Sequence, residues 1–405
     1  HAARAGGLES QKPGFQPTAT TRAPRQASTQ QPAILESKCP VSEAEATTTV
    51  TNEQVQAAAE RLDAHVREII AWHFSPETGC PFWLEWAQKT GFDAVAEVKS
   101  AADLTKFPHF QDEWLRDEPN ERWVPKPYQG RPFLVFETGG TTGMPKQRIG
   151  WEDHLRDYEE FSETLDDAAF PRGGNWLMLG PTGPRRLRVA IEHLAHIRGG
   201  SCYHVDLDPR WVKRLIAEKD FETAKRYKKH VAEQGAAILK NRKVSCLFTT
   251  PLLLEALDEF VNVPDAGIKG VFCGGTQMTP QTVRFLVEEV LDNRAQFVPT
   301  YGNTLMGLAC SRPLTPDDQW SITYHAPQPR AVLRVVDPED TDRTVDYGAW
   351  GRVELSTLTK EFFMPRFLER DEAIRRHPWG RYPWDGVGEV RPFGALEQKT
   401  IEGVY

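Results

Sequence analysis

The chain has 405 residues, 40% of them apolar and 26% charged, enough for two or three domains at roughly 100–200 residues each. Its 49 basic and 57 acidic residues leave a formal charge of -8, which argues against nucleic acid as the main partner, because phosphate binding wants a basic field. No apolar run approaches the roughly 18 residues of a membrane helix, and six scattered cysteines without a C-x-x-C pair read as reduced thiols of a cytoplasmic protein, with no zinc site expected.

The sequence starts at His1 and its first methionine is Met144, so the start reads as processed, truncated or vector-derived. No basic stretch followed by an apolar core marks a signal peptide. Residues 1–50 are rich in Ala, Thr, Gln, Pro and Ser and hold none of the twelve tryptophans. Such a segment cannot offset its ordering entropy by burial, so it is expected to be disordered or extended. Thr51 followed three residues later by Gln54 reads as a capping box, and Val55, Ala58, Leu62, Val66, Ile69 and Ile70 then recur at helical spacing. Residues 75–132 read as short helical pieces rich in Trp, Phe and Pro.

Strands and helices then alternate. Strands are expected at Phe133–Phe136, Trp176–Leu179, Cys202–Val205, Val244–Phe248, Gly270–Phe272 and Gln296–Pro299. Helices are expected at about 185–197, over a charged stretch at 209–240, and after Thr250-Pro251 and Thr279-Pro280. Those two pairs place an N-cap before a proline whose missing N–H costs nothing there. Ala331–Val336 and Gly351–Leu355 read as antiparallel strands. The pattern predicts an α/β core over 51–330 and a smaller β-rich subdomain with a tail over 331–405.

One stretch carries the functional argument: Thr138, Gly139, Gly140, Thr141, Thr142, Gly143, Met144, Pro145 and Lys146, just after a strand. Glycines let backbone N–H groups turn toward an anion, threonines add hydroxyl donors and the lysine adds a charge. It is not a Walker loop, because Pro145 precedes the lysine and Gln147 follows it. The stretch resembles the phosphate loop of adenylate-forming enzymes: acyl-CoA synthetases, peptide-synthetase adenylation domains and luciferases. Gly274-Gly275-Thr276 and Tyr301-Gly302-Asn303-Thr304 resemble two further segments of that family in the expected order. The resemblance runs from about 50 to 390.

The resemblance implies an α/β fold, that of the large N-terminal domain of these enzymes. It also implies that Thr138, Gly139, Gly140, Thr141, Thr142, Gly143 and Lys146 wrap the phosphates of ATP. Gly274, Gly275 and Thr276 would line the adenine and acyl pocket. Tyr301 would pack on adenine beside Gly302 and Asn303, and Thr304 would reach the α-phosphate. The run ending at Asp371 is the best match to the family's ribose-binding aspartate, without its glycine; Glu389 is the alternative.

Three departures stand out. The family's magnesium-holding glutamate is Leu305 here, which puts a Mg2+ site in doubt and leaves Glu137 as a stand-in. The family's small C-terminal domain, with its catalytic lysine, has no counterpart before Tyr405, and Lys399 lies in a short tail. The family's histidine after strand 176–179 is replaced by a loop ending in Arg185 and Arg186, either of which could bind a carboxylate or phosphate or be plain surface.

A large domain alone looks most like the phenazine antibiotic biosynthesis proteins, relatives of phenylacetate-CoA ligases. That resemblance implies an aromatic acid, activated as an acyl-adenylate in secondary-metabolite biosynthesis and passed to an acyl-acceptor enzyme or carrier protein. Phe272, Cys273 and Met278 would suit a flat ring, though such residues also make ordinary core. The alternatives are acyl or amide transfer with a partner, or a binding protein that has lost catalysis. The basic run Lys225–His230 reads as a solvated helix face rather than a docking surface, and His193 and His196 as ordinary helix histidines rather than metal ligands.

Overall fold

The computed structural model describes residues 49–139, 144–314 and 318–394. The N-terminal segment predicted to be disordered lies almost wholly outside the described residues, as do Gly140, Thr141, Thr142, Gly143 and Lys399. Helix α1 (Asn52–Phe74) begins as predicted: Thr51 Oγ1 accepts from the Gln54 N–H, and the Gln54 side chain accepts from the Thr51 N–H. Its buried stripe is Ala58, Leu62, Val66, Ile69, Ile70 and His73. Short helices α2 (Pro81–Thr90), α3 (Ala94–Glu97) and α4 (Trp114–Asp117) follow. Here the aromatic residues of 74–123 pack on one another, Phe82 stacking on Trp123 with centroids 4.1 Å apart. Trp83 Nε1 donates to Phe363 O at 3.1 Å, tying this region to a strand nearly 300 residues later.

Strand β1 (Leu134–Glu137) pairs with β2 (Gln147–Gly150) as an isolated antiparallel hairpin, so the glycine- and threonine-rich loop is a hairpin connection. Then come α5 (Asp153–Ser162), β3 (Trp176–Leu179), α6 (Arg186–Ile197), β4 (Cys202–His204), α7 (Pro209–Ala217) and α8 (Phe221–Asn241). The charged stretch predicted as one helix is two. The chain turns at Lys219, whose φ is 60°, and Asp220 caps α8 by accepting from the Thr223 N–H.

Strand β5 (Cys246–Thr249), α9 (Pro251–Asp258), β6 (Gly270–Cys273) and α10 (Pro280–Phe285) come next. Thr279 caps α10 as expected, whereas the Thr250 side chain makes no capping bond to α9. The chain ends its described course in β7 (Gln296–Asn303), β8 (Gly307–Ser311), β9 (Thr323–His325), β10 (Ala331–Val336), β11 (Trp350–Leu358), β12 (Phe363–Arg376) and β13 (Gly386–Pro392).

The large sheet has eleven strands in the order β10-β11-β12-β13-β9-β8-β7-β6-β5-β3-β4. Strands β3 to β6 are parallel, and β3, β5 and β6 are buried throughout, as inner parallel strands should be, while the edge strand β4 is only partly buried. Strand β7 belongs to both halves. Gln296–Pro299 pairs parallel with β6, and Thr300–Asn303 pairs antiparallel with β8. The antiparallel half therefore starts inside β7 and takes in residues on both sides of position 330. The 14-residue β12 escaped the sequence reading because Arg366, Glu369, Arg370, Asp371 and Glu372 break its apolar pattern. No helix among the described residues is long and apolar enough to cross a membrane.

Candidate active site

Ligands of open α/β sheets bind beyond the carboxyl ends of the parallel strands. Among the described residues, two cavities that share lining residues lie there. The smaller, of about 230 Å³, is bordered by Pro181, Thr250, Gly274 and Thr300, each just past or at the end of a parallel segment. Its apolar wall is aromatic. Phe272 packs against Phe248 at 4.9 Å and Phe161 at 4.8 Å, and Tyr158 of α5 stands beside them. Thr138, Gly139, Arg185, Arg186 and Thr304 form the polar rim.

The larger cavity, of about 560 Å³, is lined by Thr276, Met278, Tyr301, Glu369, Asp371 and Lys213 among others. Gly275, Thr300, Gly302 and Asn303 border both, so the two meet where β7 changes partner. Gly275 has φ 93°, a left-handed conformation that disfavours a side chain.

The residues predicted from sequence come together unequally. Tyr301 Oη donates to Asp371 Oδ2 at 2.7 Å, so these two sit side by side in the larger cavity. Burial, followed by the Asp371 carboxylate, raises the Tyr301 phenol well above its usual range. Asn303 Nδ2 donates to Glu369 Oε1 at 2.6 Å, and its Oδ1 accepts from the Leu305 and Met306 N–H groups. Glu369 was not singled out in the sequence. Its carboxyl is pushed up to about 7 by burial and by Asp371, against the pull of Lys146. The alternative aspartate stand-in, Glu389, instead accepts from Ser321 Oγ and does not border either cavity.

The ends of the glycine-rich loop are tied together. Thr138 N–H donates to Lys146 O, and Lys146 N–H to Thr138 Oγ1, each at 3.0 Å. The Lys146 ammonium is buried. It pairs with Asp112 Oδ1 at 2.8 Å and stands 4.5 Å from the Phe367 ring centroid, so it borders neither cavity. The Asp112 carboxyl is held below its usual range by Lys146, Arg116 and Arg370, against the opposing effect of burial.

Arg185 donates to the carbonyls of Glu137 and Thr138 at 2.8 and 2.7 Å, which fixes the entry to the loop. Arg186 pairs with the buried Asp157, whose other oxygen is 2.6 Å from Arg330. Both arginines thus border the smaller cavity while engaged by the protein itself. Thr304 Oγ1 donates to Glu137 O at 3.4 Å.

Neither of the two positions considered for holding magnesium fits it. Leu305 is buried in the core, only 2% exposed, where the resemblance places a glutamate. The Glu137 carboxylate pairs with Arg210 and accepts from Gln147. Among the described residues no group of three His, Cys, Asp or Glu is placed to hold a metal. His193 instead meets Glu159 at 3.0 Å. Cys273 is fully buried and borders neither cavity, and burial raises its thiol. Met278 borders the larger cavity rather than the aromatic one.

The helix bearing Tyr158 and Asp157 is held at its start by a residue far away in sequence. Glu361, in the turn between β11 and β12, accepts from the N–H groups of Trp151, Glu152 and Asp153 at 2.8, 2.6 and 3.2 Å. A carboxylate at a helix N-terminus complements its unpaired donors and dipole. No nearby side chain caps α5.

No family model matches the sequence, and no curated protein does. Solved structures do match. The fold is similar to that of 2-hydroxyisobutyryl-CoA ligase in the postadenylation state, with a TM-score of 0.59 and 16% identity over 86% of this chain and 69% of that one. An open conformation of the same ligase, in complex with 2-HIB-AMP and CoA, matches with a TM-score of 0.57 and 16% identity, over 84% of this chain and 70% of that one. The fold is that of the adenylate-forming enzymes.

Proposed function

We propose that the protein activates an organic, aromatic carboxylic acid with ATP. The acid's carboxylate attacks the α-phosphorus, the bond to the β-phosphate oxygen breaks, and acyl-AMP and pyrophosphate result. The observation that carries this reading is the pair of cavities meeting at Thr300–Asn303, one walled by aromatic rings and one holding the Tyr301–Asp371 pair. An aromatic acid suits the first, whose wall includes Tyr158, Phe248 and Phe272. A nucleoside suits the second, where Asp371 supplies acceptors for ribose hydroxyls. Thr138 and Gly139, at the start of the loop, border the first cavity near the junction, where charge develops during the attack.

The fold shared with a ligase solved in its postadenylation state supports the same chemistry. The activated acyl group would then pass to a partner enzyme or carrier protein. We place the protein in secondary-metabolite biosynthesis, beside the phenylacetate-CoA ligase-like and phenazine-type proteins, and in the cytoplasm. Magnesium enters this reading as the counter-ion of ATP.

The test is release of AMP and pyrophosphate from MgATP across a panel of aromatic carboxylic acids, with Lys146→Ala as control. Acid-dependent AMP that vanishes in the variant is expected. A folded protein that releases no AMP with any acid, alone or with a candidate acceptor, would favour a second reading. In that reading the protein binds nucleotide and aromatic acid without catalysis, as the core position of Leu305 favours.

A further inference from the structure

Helix α7 brings a lysine to the site that no motif announces. Asp208 caps the helix by accepting from the Arg210 N–H, and Pro209 occupies its first turn. Val212 and Leu215 bury one face, which directs Lys213, partly buried between them in sequence, toward the glycine-rich loop. Its Nζ donates to Gly139 O at 2.6 Å. The approach is close enough that a Cβ at position 139 would lie 2.5 Å from the same nitrogen.

The location is specific. Lys213 borders the larger cavity, with Tyr301 and Asp371, while Gly139 borders the smaller. The ammonium therefore stands where the two cavities meet and where an acyl-AMP would carry its phosphate. Its charge has no protein counterpart: among the described residues, no carboxylate pairs with Lys213 within the reach of a salt bridge. Lys146 differs, being paired with Asp112.

The surroundings add positive charge. Burial, then Arg185, Arg370 and Arg210, pulls the Lys213 ammonium down to about 8. Arg210 is engaged by Glu137 and Arg370 by Asp112. A partly buried cation among other cations, resting on one neutral carbonyl, is poised to exchange that carbonyl for an anion. A charge-assisted bond to phosphate is stronger and shorter than a bond to a carbonyl.

We propose that Lys213 is a phosphate-binding residue of the active site, leaving the Gly139 carbonyl to pair with the phosphate of the nucleotide at the junction of the two cavities. This rests on the adenylate reading of the same site. It assigns the direct cation to α7, and to Lys146 a role that first requires release from Asp112.

The test compares binding of ATP, AMP and adenosine to the full chain and to Lys213→Met, Lys213→Gln and Lys213→Arg by titration calorimetry. Loss of one charged hydrogen bond should weaken ATP and AMP between about 10-fold and about 100-fold in the Met and Gln variants. Adenosine, which lacks phosphate, should bind within about twofold of the wild type, and Lys213→Arg should recover most of the loss, since an arginine also carries the charge.

Unchanged ATP and AMP affinity in Met and Gln variants overturns the assignment and leaves the nucleotide reading standing. Equal weakening of all three ligands means that Lys213 merely shapes the loop, which also overturns it. A folded wild type that binds none of the three removes the nucleotide reading and the assignment together. The Gln variant keeps a donor for Gly139 O, so a folding defect confined to the Met variant leaves the comparison intact.

Discussion

Glu369→Gln is the change whose effect can be worked most directly from the structure. Glu369 lies in β12 beside Asp371, borders the larger cavity and accepts from Asn303 Nδ2 at 2.6 Å. The amide keeps the side chain's shape and leaves an oxygen for Asn303, so the substitution removes the charge and little else. In the fold the carboxyl is pushed from its usual 4.5 up to about 7, chiefly by burial. Between these two pH values the native protein holds a proton that the unfolded chain releases. Its stability therefore falls as pH rises through that window and levels off above it. The whole effect is roughly 3 kcal/mol, or about 4 °C in thermal midpoint for a domain of this size.

The glutamine variant has no proton to lose at this position. It should match the wild type near pH 4.5 and exceed it in thermal midpoint by about 4 °C at pH 8. The assay is thermal denaturation of both proteins at half-unit steps of pH, read by circular dichroism. A difference that stays constant from pH 4.5 to 8 would refute the argument, because it would mean that the Glu369 carboxylate costs nothing to ionise in place. So would a variant less stable than the wild type at pH 8.

Two further changes probe other parts of the site. Asp371→Asn keeps the bond from Tyr301 but replaces the charged acceptor proposed for ribose by a neutral one; ATP affinity should drop about tenfold, with 2′-deoxy-ATP affected less, and equal losses for both nucleotides would remove the ribose role. Glu361→Ala leaves three N–H groups at the start of α5 without their acceptor; a stability loss of roughly 2–4 kcal/mol in urea denaturation is expected, and a loss under about 0.5 kcal/mol would mean that water replaces the carboxylate there.

The local signals read well from the chain. The capping box at Thr51 and Gln54 formed as written, because both partners lie within one helical turn. The parallel strands at 176–179 and 270–273 were visible as apolar runs, since burial on both faces leaves no room for polar residues. The long strand β12 was missed because its polar residues face partners from elsewhere, as Arg366 does with Glu354 and the carbonyls of Thr105 and Phe107. The break at Lys219 was missed because charged residues continue on both sides of it.

The sequence by itself determined the alternation of strands and helices, the glycine- and threonine-rich loop, and the candidates Tyr301 and Asp371, all of which depend on residues close together in the chain. Only the tertiary structure decided which charges meet which partners: Lys146 with Asp112, Asp157 with both Arg186 and Arg330, Glu361 with the start of α5, Glu369 with Asn303, and Lys213 with Gly139. Periodicity reports which way a side chain faces relative to its own helix or strand. It does not report what stands opposite, because that is set by strand order and register across the sheet, and a cation's role in the site depends on whether a carboxylate already holds it.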